Sequence, residues 1–379
     1  EFTVGHVTPV AISANQSLGG VVDIYSNGNL QLNNSGTLSA TVKVKGDSFG
    51  SGTVGGKIEV KETMTFSGTL QQATDHNGLE IIIDSGKTMT YTGSGFNIEN
   101  HTLKLSGGGE FKNTNNLTIN NAGSKLSISD STKVSRVLVS ASSTGNGITI
   151  SDSANNATGN LVENLQLSSS LSVTSDAAWS VGSITAGSAL TFSNDKDLSI
   201  GSLSLTGNNA EMSLGASDIT VSVADPVSAV DTQTIRNGGG SLNFTGGLTL
   251  AAGSELIGQG QQISGDITLN GGKLTAEQDT ELPGDMSVSA DSTIQIDTSK
   301  ALTYGGQAVD IGASKLKIQG GGSFVNTETT PIKLNNTGSG LVLDNVTVDY
   351  VSATAASSQG ILETSNDSTV NNLSLTDKL

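Results

Sequence analysis

The chain contains no cysteine, few prolines and few aromatic residues. Its 379 residues include 4 Pro, and aromatic residues make up only 3%. A secreted protein of this size that relied on disulfides would contain several cysteines, so the chain is either intracellular or an exported protein of a kind that avoids cysteine. Sandwich domains of about 100 residues usually carry bulky aromatic core residues. With 1 Trp, 4 Tyr and 8 Phe in all, a series of such sandwiches is disfavoured.

Basic residues are also scarce. The chain has 18 Lys and Arg residues and 35 Asp and Glu residues, which gives a formal net charge of −17. A nucleic-acid binder needs clustered Lys and Arg to neutralise phosphates, so nucleic acid is excluded as a partner. No apolar run reaches the roughly 18 residues of a transmembrane helix, so no membrane-spanning segment is predicted. The start at Glu1-Phe2, without a signal peptide, favours a mature or fragmentary chain.

Apolar–polar–apolar triplets recur along the whole chain, with Gly- and Asn-rich turns between them. This is the period of a strand with one buried face. The triplets are Leu30-Gln31-Leu32, Val42-Lys43-Val44, Ile58-Glu59-Val60, Leu103-Lys104-Leu105, Leu117-Thr118-Ile119, Leu126-Ser127-Ile128, Leu165-Gln166-Leu167, Leu198-Ser199-Ile200, Leu248-Thr249-Leu250, Ile267-Thr268-Leu269, Leu316-Lys317-Ile318 and Leu373-Ser374-Leu375. Strand centres recur at roughly 6 to 12 residues, so a coil of three strands takes on the order of 24 residues. The sequence predicts an all-β, single-stranded parallel β-helix, or β-solenoid, of about 16 coils, continuous over residues 1–379.

The second half of the chain repeats part of the first. The phrase KLSGGGEF at 104–111 returns as KIQGGGSF at 317–324. Further along, a two-residue insertion changes the alignment of the two copies. In all, residues 51–167 resemble residues 264–375. Before the insertion the matching pairs are Ile81 and Ile294, Ile83 and Ile296, Asp84 and Asp297, Lys87 and Lys300, Met89 and Leu302, Tyr91 and Tyr304, and Phe111 and Phe324. We interpret the repeat as a duplicated block of about nine coils, because a solenoid can lengthen without disturbing distant contacts.

The richness in Gly, Ser, Thr and Asn, the lack of Cys, the acidity and the short Val/Ile/Leu strands resemble the β-helical passenger regions of bacterial autotransporters and related large exported adhesins. The resemblance extends over the whole length. It implies a right-handed parallel β-helix outside the cell, with a role in adhesion, aggregation or a surface layer. The calcium-binding nonapeptide GGxGxDxUx is not found in the sequence, so no metal is expected from the resemblance.

The histidines do not predict a metal or cofactor site. His6, His76 and His101 lie far apart in the sequence and lack the HExxH or any other ligand spacing. His76 lies within Asp-His-Asn-Gly, a turn composition. We therefore interpret the three as surface or turn residues, with no cofactor and no metal ion expected.

Two further groups of residues bear on possible chemistry. Asp195 and Asp197 could bind a cation, but Lys196 between them opposes this and favours a solvated loop. Glycosidases and lyases with this fold use paired carboxylates or a basic cluster, typically beside aromatic sugar platforms. Such charged groups and aromatic platforms are both scarce in this sequence. We interpret Trp179 as a core or turn residue. No catalytic residue is predicted.

Three functions remain open. The leading expectation is a non-enzymatic extracellular structural or adhesive protein on a bacterial surface, whose polar sheets bind a cell-surface or matrix component. The second is a subunit that assembles head to tail into a filament or surface layer, with residues 1–20 as an N-terminal cap or an exchanged strand. The third is a carbohydrate-binding or carbohydrate-cleaving β-helix of the tail-spike or lyase type.

Overall fold

The fold is known from a computed structural model that describes residues 2–5, 9–13, 16–45, 55–72, 78–141, 146–151, 161–193, 196–215, 219–353 and 361–375. Within these ranges the regular secondary structure is strand, with no helix. Parallel strands stack into a β-solenoid of about 15 turns. The predicted fold class is confirmed, and the number of turns is close to the prediction.

The strands are short, and most are separated by only a few residues. The first are β1 (Phe2–Val4), β2 (Val10–Ile12), β3 (Val21–Ile24), β4 (Asn29–Leu32), β5 (Thr37–Leu38), β6 (Thr41–Val44), β7 (Gly56–Val60), β8 (Met64–Phe66), β9 (Thr69–Gln72), β10 (Leu79–Ile83), β11 (Thr88–Tyr91), β12 (Phe96–Asn97), β13 (Thr102–Ser106), β14 (Glu110–Asn113), β15 (Leu117–Ile119), β16 (Lys125–Ser129), β17 (Lys133–Val139), β18 (Asn146–Ser151), β19 (Val162–Leu167), β20 (Leu171–Ser175), β21 (Trp179–Ala186) and β22 (Leu190–Phe192).

The later strands are β23 (Leu198–Leu205), β24 (Glu211–Leu214), β25 (Thr220–Val223), β26 (Val227–Ala229), β27 (Thr234–Arg236), β28 (Ser241–Ala251), β29 (Glu255–Gly258), β30 (Ile263–Asn270), β31 (Lys273–Ala276), β32 (Thr280–Leu282), β33 (Met286–Ala290), β34 (Ser292–Ile296), β35 (Ala301–Tyr304), β36 (Val309–Asp310), β37 (Lys315–Gln319), β38 (Ser323–Val325), β39 (Ile332–Leu334), β40 (Gly340–Asp344), β41 (Thr347–Ala353), β42 (Ile361–Ser365) and β43 (Thr369–Leu375). Every triplet named from the sequence lies within one of these strands.

The chain divides into two compact units, each of which is described by itself. Unit 1 is Glu1–Thr185 with Phe192–Asp197, and unit 2 is Ala186–Thr191 with Leu198–Leu379. In both, a coil contributes to three ladders of parallel strands, which we call faces 1, 2 and 3. In unit 2, face 1 contains β24, β27, β29, β31, β34, β37, β40 and β42. Face 3 contains β26, the later parts of β28 and β30, β33, β36, β39, and the later parts of β41 and β43.

In unit 1, face 1 contains β2, β4, β7, β10, β13, β16, β18 and β20. Face 2 includes β8, β11, β14 and the start of β17, and face 3 begins with β1, β3, β6 and β9. The sequence predicts a cap or an exchanged strand at residues 1–20. Their described part includes β1 and β2, which pair in parallel with β3 and β4 of the same chain.

Aliphatic side chains stack in register inside each unit. The face-1 columns are Ile58, Ile81, Leu105, Ile128 and Ile150 in unit 1, and Leu256, Leu274, Ile294, Ile318 and Leu343 in unit 2. All of them are buried. Alternate residues of a strand point to opposite sides, so each triplet places two side chains inside and one outside. Each buried Leu or Ile contributes about 1.5–3 kcal/mol relative to exposure, which makes these columns a main source of stability.

Coil length varies while the register of the core is kept. Leu256 pairs with Leu274 on the next coil of unit 2, whereas Leu30 pairs with Ile58 in unit 1 across a much longer stretch of sequence. The strands fix the inward positions, so the additional residues of the longer coil lie in the connections between strands. This variation is why the coils cannot be counted from a fixed sequence period.

Aromatic side chains stack on face 2 of each unit. In unit 1, the ring of Tyr91 lies 6.0 Å from that of Phe66 and 5.9 Å from that of Phe111, centre to centre. In unit 2, face 2 contains β25, the starts of β28 and β30, β32, β35, β38 and the start of β41. There the ring centres of Tyr304 and Phe324 are 6.0 Å apart. Phe111 and Phe324 are both fully buried. Both members of this matched pair therefore point into the core of their units.

The repeated glycine triplet has a steric cause. A Cβ on Gly109 would lie 2.4 Å from Cγ2 of Ile83, and a Cβ on Gly322 would lie 2.4 Å from Cγ2 of Ile296. Backbone carbonyl oxygens lie within 2.7 Å of the same positions. Any side chain at these corners would collide with the preceding coil, so both copies of the phrase require glycine there.

Candidate functional site: polar columns on the faces

An uninterrupted column of polar residues runs along the outer side of face 3 in unit 2. Each member is paired in register with the next over eight successive strands. We call it the face-3 column: Ser228, Thr249, Thr268, Ser287, Asp310, Lys333, Ser352 and Ser374. With coils about 4.8 Å apart, seven intervals span about 34 Å.

Buried neighbours hold the face-3 column in place. Thr249 lies between the buried Leu248 and Leu250, and Thr268 lies between the buried Ile267 and Leu269. The hydroxyl of Ser287 lies 3.2 Å from that of Thr268 and donates a hydrogen bond to it. The backbone of these residues is fixed by the ladder, so their side-chain hydroxyl groups are displayed at regular spacing.

Face 1 of unit 1 carries a ladder of alternating charge. Asn29, Lys57, Glu80 and Lys104 follow one another in register. The Glu80 carboxylate lies 3.3 Å from Lys57 Nζ through one oxygen and 2.8 Å from Lys104 Nζ through the other. Opposite charges on neighbouring strands stabilise the sheet, whereas like charges in this column would repel.

The environment of the Glu80 carboxyl lowers its pKa. Burial alone would raise the pKa, but the hydrogen bond and charge of Lys104, the charge of Lys57 and a hydrogen bond from Ser106 together outweigh it. Glu59 shows the same balance: burial opposes ionisation, while Asn29, Lys61 and Gln31 lower its pKa below the ordinary value. Both carboxylates are held in the ionised form.

Unit 2 has comparable ion pairs on face 1. Lys273 Nζ lies 3.0 Å from a Glu255 oxygen, and Arg236 Nε lies 3.2 Å from a Glu211 oxygen. Burial would raise the pKa of Glu255, but Thr275 and Lys273 hold it below its ordinary value. These carboxylates form ion pairs with neighbouring cations of the sheet, and Glu255 also accepts a hydrogen bond from the Thr275 hydroxyl.

Of the three histidines, His101 alone lies within the described residues. His6 and His76 lie outside the described residues. His101 lies at a bend before β13, and its backbone carbonyl accepts a hydrogen bond from Lys125 N. Over the described ranges, no group of three or more His, Cys, Asp or Glu side chains is placed to hold a metal ion.

Trp179 is a core residue. It is 4% exposed, and its ring meets that of Phe192 edge to face, with centres 6.5 Å apart. Asp195 lies outside the described residues. The carbonyl of Asp197 accepts a hydrogen bond from Trp179 N at 3.2 Å.

Sequence reasoning found the polar centres Thr249, Thr268 and Ser374 but not the column to which they belong. Its members Asp310 and Lys333 lie in strands of two and three residues, outside any triplet that was named. The column depends on coil lengths that differ from turn to turn, so it could not be assembled without the register.

No helix among the placed residues has the length and apolar character needed to cross a membrane. Comparisons with protein-family models, curated proteins and solved structures give no match.

Proposed function

We propose that the chain is a non-enzymatic extracellular structural or adhesive protein that binds a cell-surface or matrix component through its polar faces. The face-3 column is the single observation that carries the proposal. A column about 34 Å long is comparable to one side of a standard protein interface. Its hydroxyl groups, with one carboxylate and one ammonium group, suit a polar partner surface better than an apolar one.

The state of the carboxylates supports a role without catalysis. A general acid at neutral pH needs a pKa raised toward the working pH. The pKa values of Glu59, Glu80 and Glu255 are instead lowered. Each of these carboxylates accepts hydrogen bonds from two or more neighbours on its sheet. These side chains stabilise the faces and are poor candidates for proton transfer.

Location at a bacterial surface follows from the resemblance to exported passenger regions. The solenoid of about 15 turns has the texture expected of such regions. A rigid ladder of coils suits a protein that presents a binding face, because the partner meets side chains that are already ordered.

The experiment compares the adhesion of beads coated with the purified protein to cultured cells and to matrix proteins. The test variant carries Thr249→Lys and Thr268→Lys on face 3. The matched control carries Thr234→Lys and Thr293→Lys, which are outward positions on face 1 of the same unit. We expect wild type and control to adhere and the face-3 variant to lose at least about tenfold in retained beads.

Adhesion that is equal in the face-3 variant and the control would remove face 3 as the binding surface. Absence of adhesion to every surface tested, or release of reducing sugar from a polysaccharide by the protein, would overturn the proposed function itself.

A further inference from the structure

A groove with a volume of about 580 Å³ lies on unit 2, on a side of the coils where an irregular loop meets β41 and β43. Its lining includes Glu328 and Pro331 from the loop, Tyr350 and Ser352 from β41, and Asn371 and Asn372 from β43. The volume falls in the range of small-molecule sites, about 300–1,000 Å³.

The loop that forms one wall is longer than its counterpart in unit 1. Asn113 and Asn326 occupy matching places, because the amide of Asn113 donates to the carbonyl of Arg136 and that of Asn326 donates to the carbonyl of Tyr350. In unit 1 the next strand after Asn113 begins at Leu117. In unit 2 the next strand after Asn326 begins at Ile332, so this connection is longer by two positions.

The two additional residues create the wall that contains Glu328 and Pro331. The position of Tyr350 is occupied by Arg136 in unit 1, and Asn372 corresponds to Asn164, since Arg136 pairs with Asn164 and Tyr350 with Asn372. Asparagine is kept at this last position, so the groove differs from the matching place in unit 1 through its longer loop and through Tyr350 in place of Arg136.

Several polar groups in the groove have no partner. Among the described residues, the Glu328 carboxylate, the Tyr350 hydroxyl and the Oδ1 atoms of Asn371 and Asn372 make no hydrogen bond or ion pair. The two amide nitrogens are oriented by Asp349: Asn371 Nδ2 donates to its Oδ1 at 2.7 Å, and Asn372 Nδ2 donates to its carbonyl at 3.2 Å. Acceptors held in this way are ready to receive donors from a ligand.

We propose that this groove binds a neutral saccharide. The half-buried ring of Tyr350 offers an apolar surface for the C–H face of a sugar, with a hydroxyl group at its edge. The amide oxygens, the serine hydroxyl and the carboxylate accept hydrogen bonds from sugar hydroxyl groups. No Lys or Arg is among the described residues that line the groove, so an acidic ligand would meet no countercharge from them.

Ser352 and Ser374 belong both to the groove lining and to the face-3 column. The site still goes beyond the proposed function, because adhesion through the column needs no groove and the column does not include Glu328, Tyr350 or Asn371. It was not predicted from the sequence. The two-residue insertion was visible there, but nothing indicated that Tyr350 and Asn372 lie beside it.

The test is a printed array of short neutral and acidic oligosaccharides, followed by titration of the best neutral binder. We expect wild type to bind a neutral oligosaccharide, Tyr350→Ala to weaken it about tenfold through lost stacking, and Glu328→Gln to weaken it less. Arg136→Ala and Asn164→Ala, at the matching places of unit 1, should leave binding unchanged. Circular dichroism confirms that each variant remains folded.

The inference is overturned if no neutral saccharide binds, if only acidic saccharides bind, or if Tyr350→Ala binds as tightly as Arg136→Ala. Failure here is distinguishable from failure of the proposed function, because bead adhesion is measured separately on the same wild-type protein. Retained adhesion without saccharide binding would remove the groove alone.

Discussion

Asn113 and Asn326, at matching positions of the two sequence copies, make the same hydrogen bonds in their respective units. Asn113 Nδ2 lies 2.7 Å from the Arg136 carbonyl, and its Oδ1 lies 3.1 Å from Arg136 N. Asn326 Nδ2 and Oδ1 each lie 2.9 Å from the corresponding backbone atoms of Tyr350. Each amide therefore joins two coils, and both side chains are at most 3% exposed.

Replacing either asparagine with alanine should be strongly destabilising. Each change leaves part-buried backbone donors and acceptors without their side-chain partner, at about 1–3 kcal/mol per group. We expect Asn113→Ala and Asn326→Ala to lower the free energy of unfolding by about 2–4 kcal/mol in denaturant titrations. The exposed Asn97 provides the control, and Asn97→Ala should stay within about 0.5 kcal/mol. Equal effects at Asn113 and Asn97 would contradict the bridging role.

The buried Phe111 and Phe324 should contribute more to stability than the partly exposed Lys104. Phe111→Ala and Phe324→Ala each open a cavity in a narrow core and should cost about 3–5 kcal/mol. Lys104, whose side chain is 47% exposed, contributes one partly exposed ion pair, so Lys104→Ala should cost about 1 kcal/mol or less. Similar losses at Phe111 and Lys104, measured by thermal and denaturant unfolding, would show that the register is wrong.

The cost of removing Lys104 should depend on pH. The pKa of Glu80 is lower in the folded than in the unfolded chain, so its ion pairs contribute stability above the unfolded pKa, which is lost as pH falls through the folded pKa. We expect the stability difference between wild type and Lys104→Ala to be present at neutral pH and to vanish in acid, once the Glu80 carboxylate is protonated. Comparing the two proteins removes most of the effect of the net charge of −17, because they differ by a single charge. A difference that stays constant or grows toward low pH would contradict the lowered pKa.

The glycine corners give a steric prediction. Gly109→Ala and Gly322→Ala would each bring a methyl group to 2.4 Å from an isoleucine methyl, which forces the preceding coil to move. Each should lower stability by about 1–3 kcal/mol. Gly305 is the matched control, because its Cβ would meet nothing closer than 3.6 Å. If Gly305→Ala proves as harmful as Gly322→Ala in unfolding experiments, close approach is not the cause.

The sequence predicted the parts of the fold that depend on alternation. Triplets such as Leu103-Lys104-Leu105 lie in strands because two apolar side chains must share one side. The repeat matched Tyr91 to Tyr304 and Phe111 to Phe324, but the stacking of the two rings within each unit was not predicted. The path of the long strand β28 could not be predicted from alternation, because the strand continues from face 2 to face 3 through an irregular register between Phe244 and Leu248.

The groove escaped prediction for a related reason. Glu328 and Asn372 are distant in the sequence, and only the stacking of successive coils brings them to one place. Sequence comparison of the two copies shows where they differ, but it does not show which coil lies beside the difference.

The face-3 column is tested most directly by distances between spin labels. The chain has no cysteine, so nitroxide labels can be attached at two introduced cysteines without removing any native thiol. Ser228→Cys is combined in turn with Ser287→Cys, Lys333→Cys, Ser352→Cys and Ser374→Cys. At about 4.8 Å per coil, the mean separations should rise in proportion to three, five, six and seven coils, from about 14 Å to about 34 Å. Separations that do not increase along this series, or that cluster near the roughly 10 Å spacing of two packed sheets, would contradict the stacked column on which the account rests.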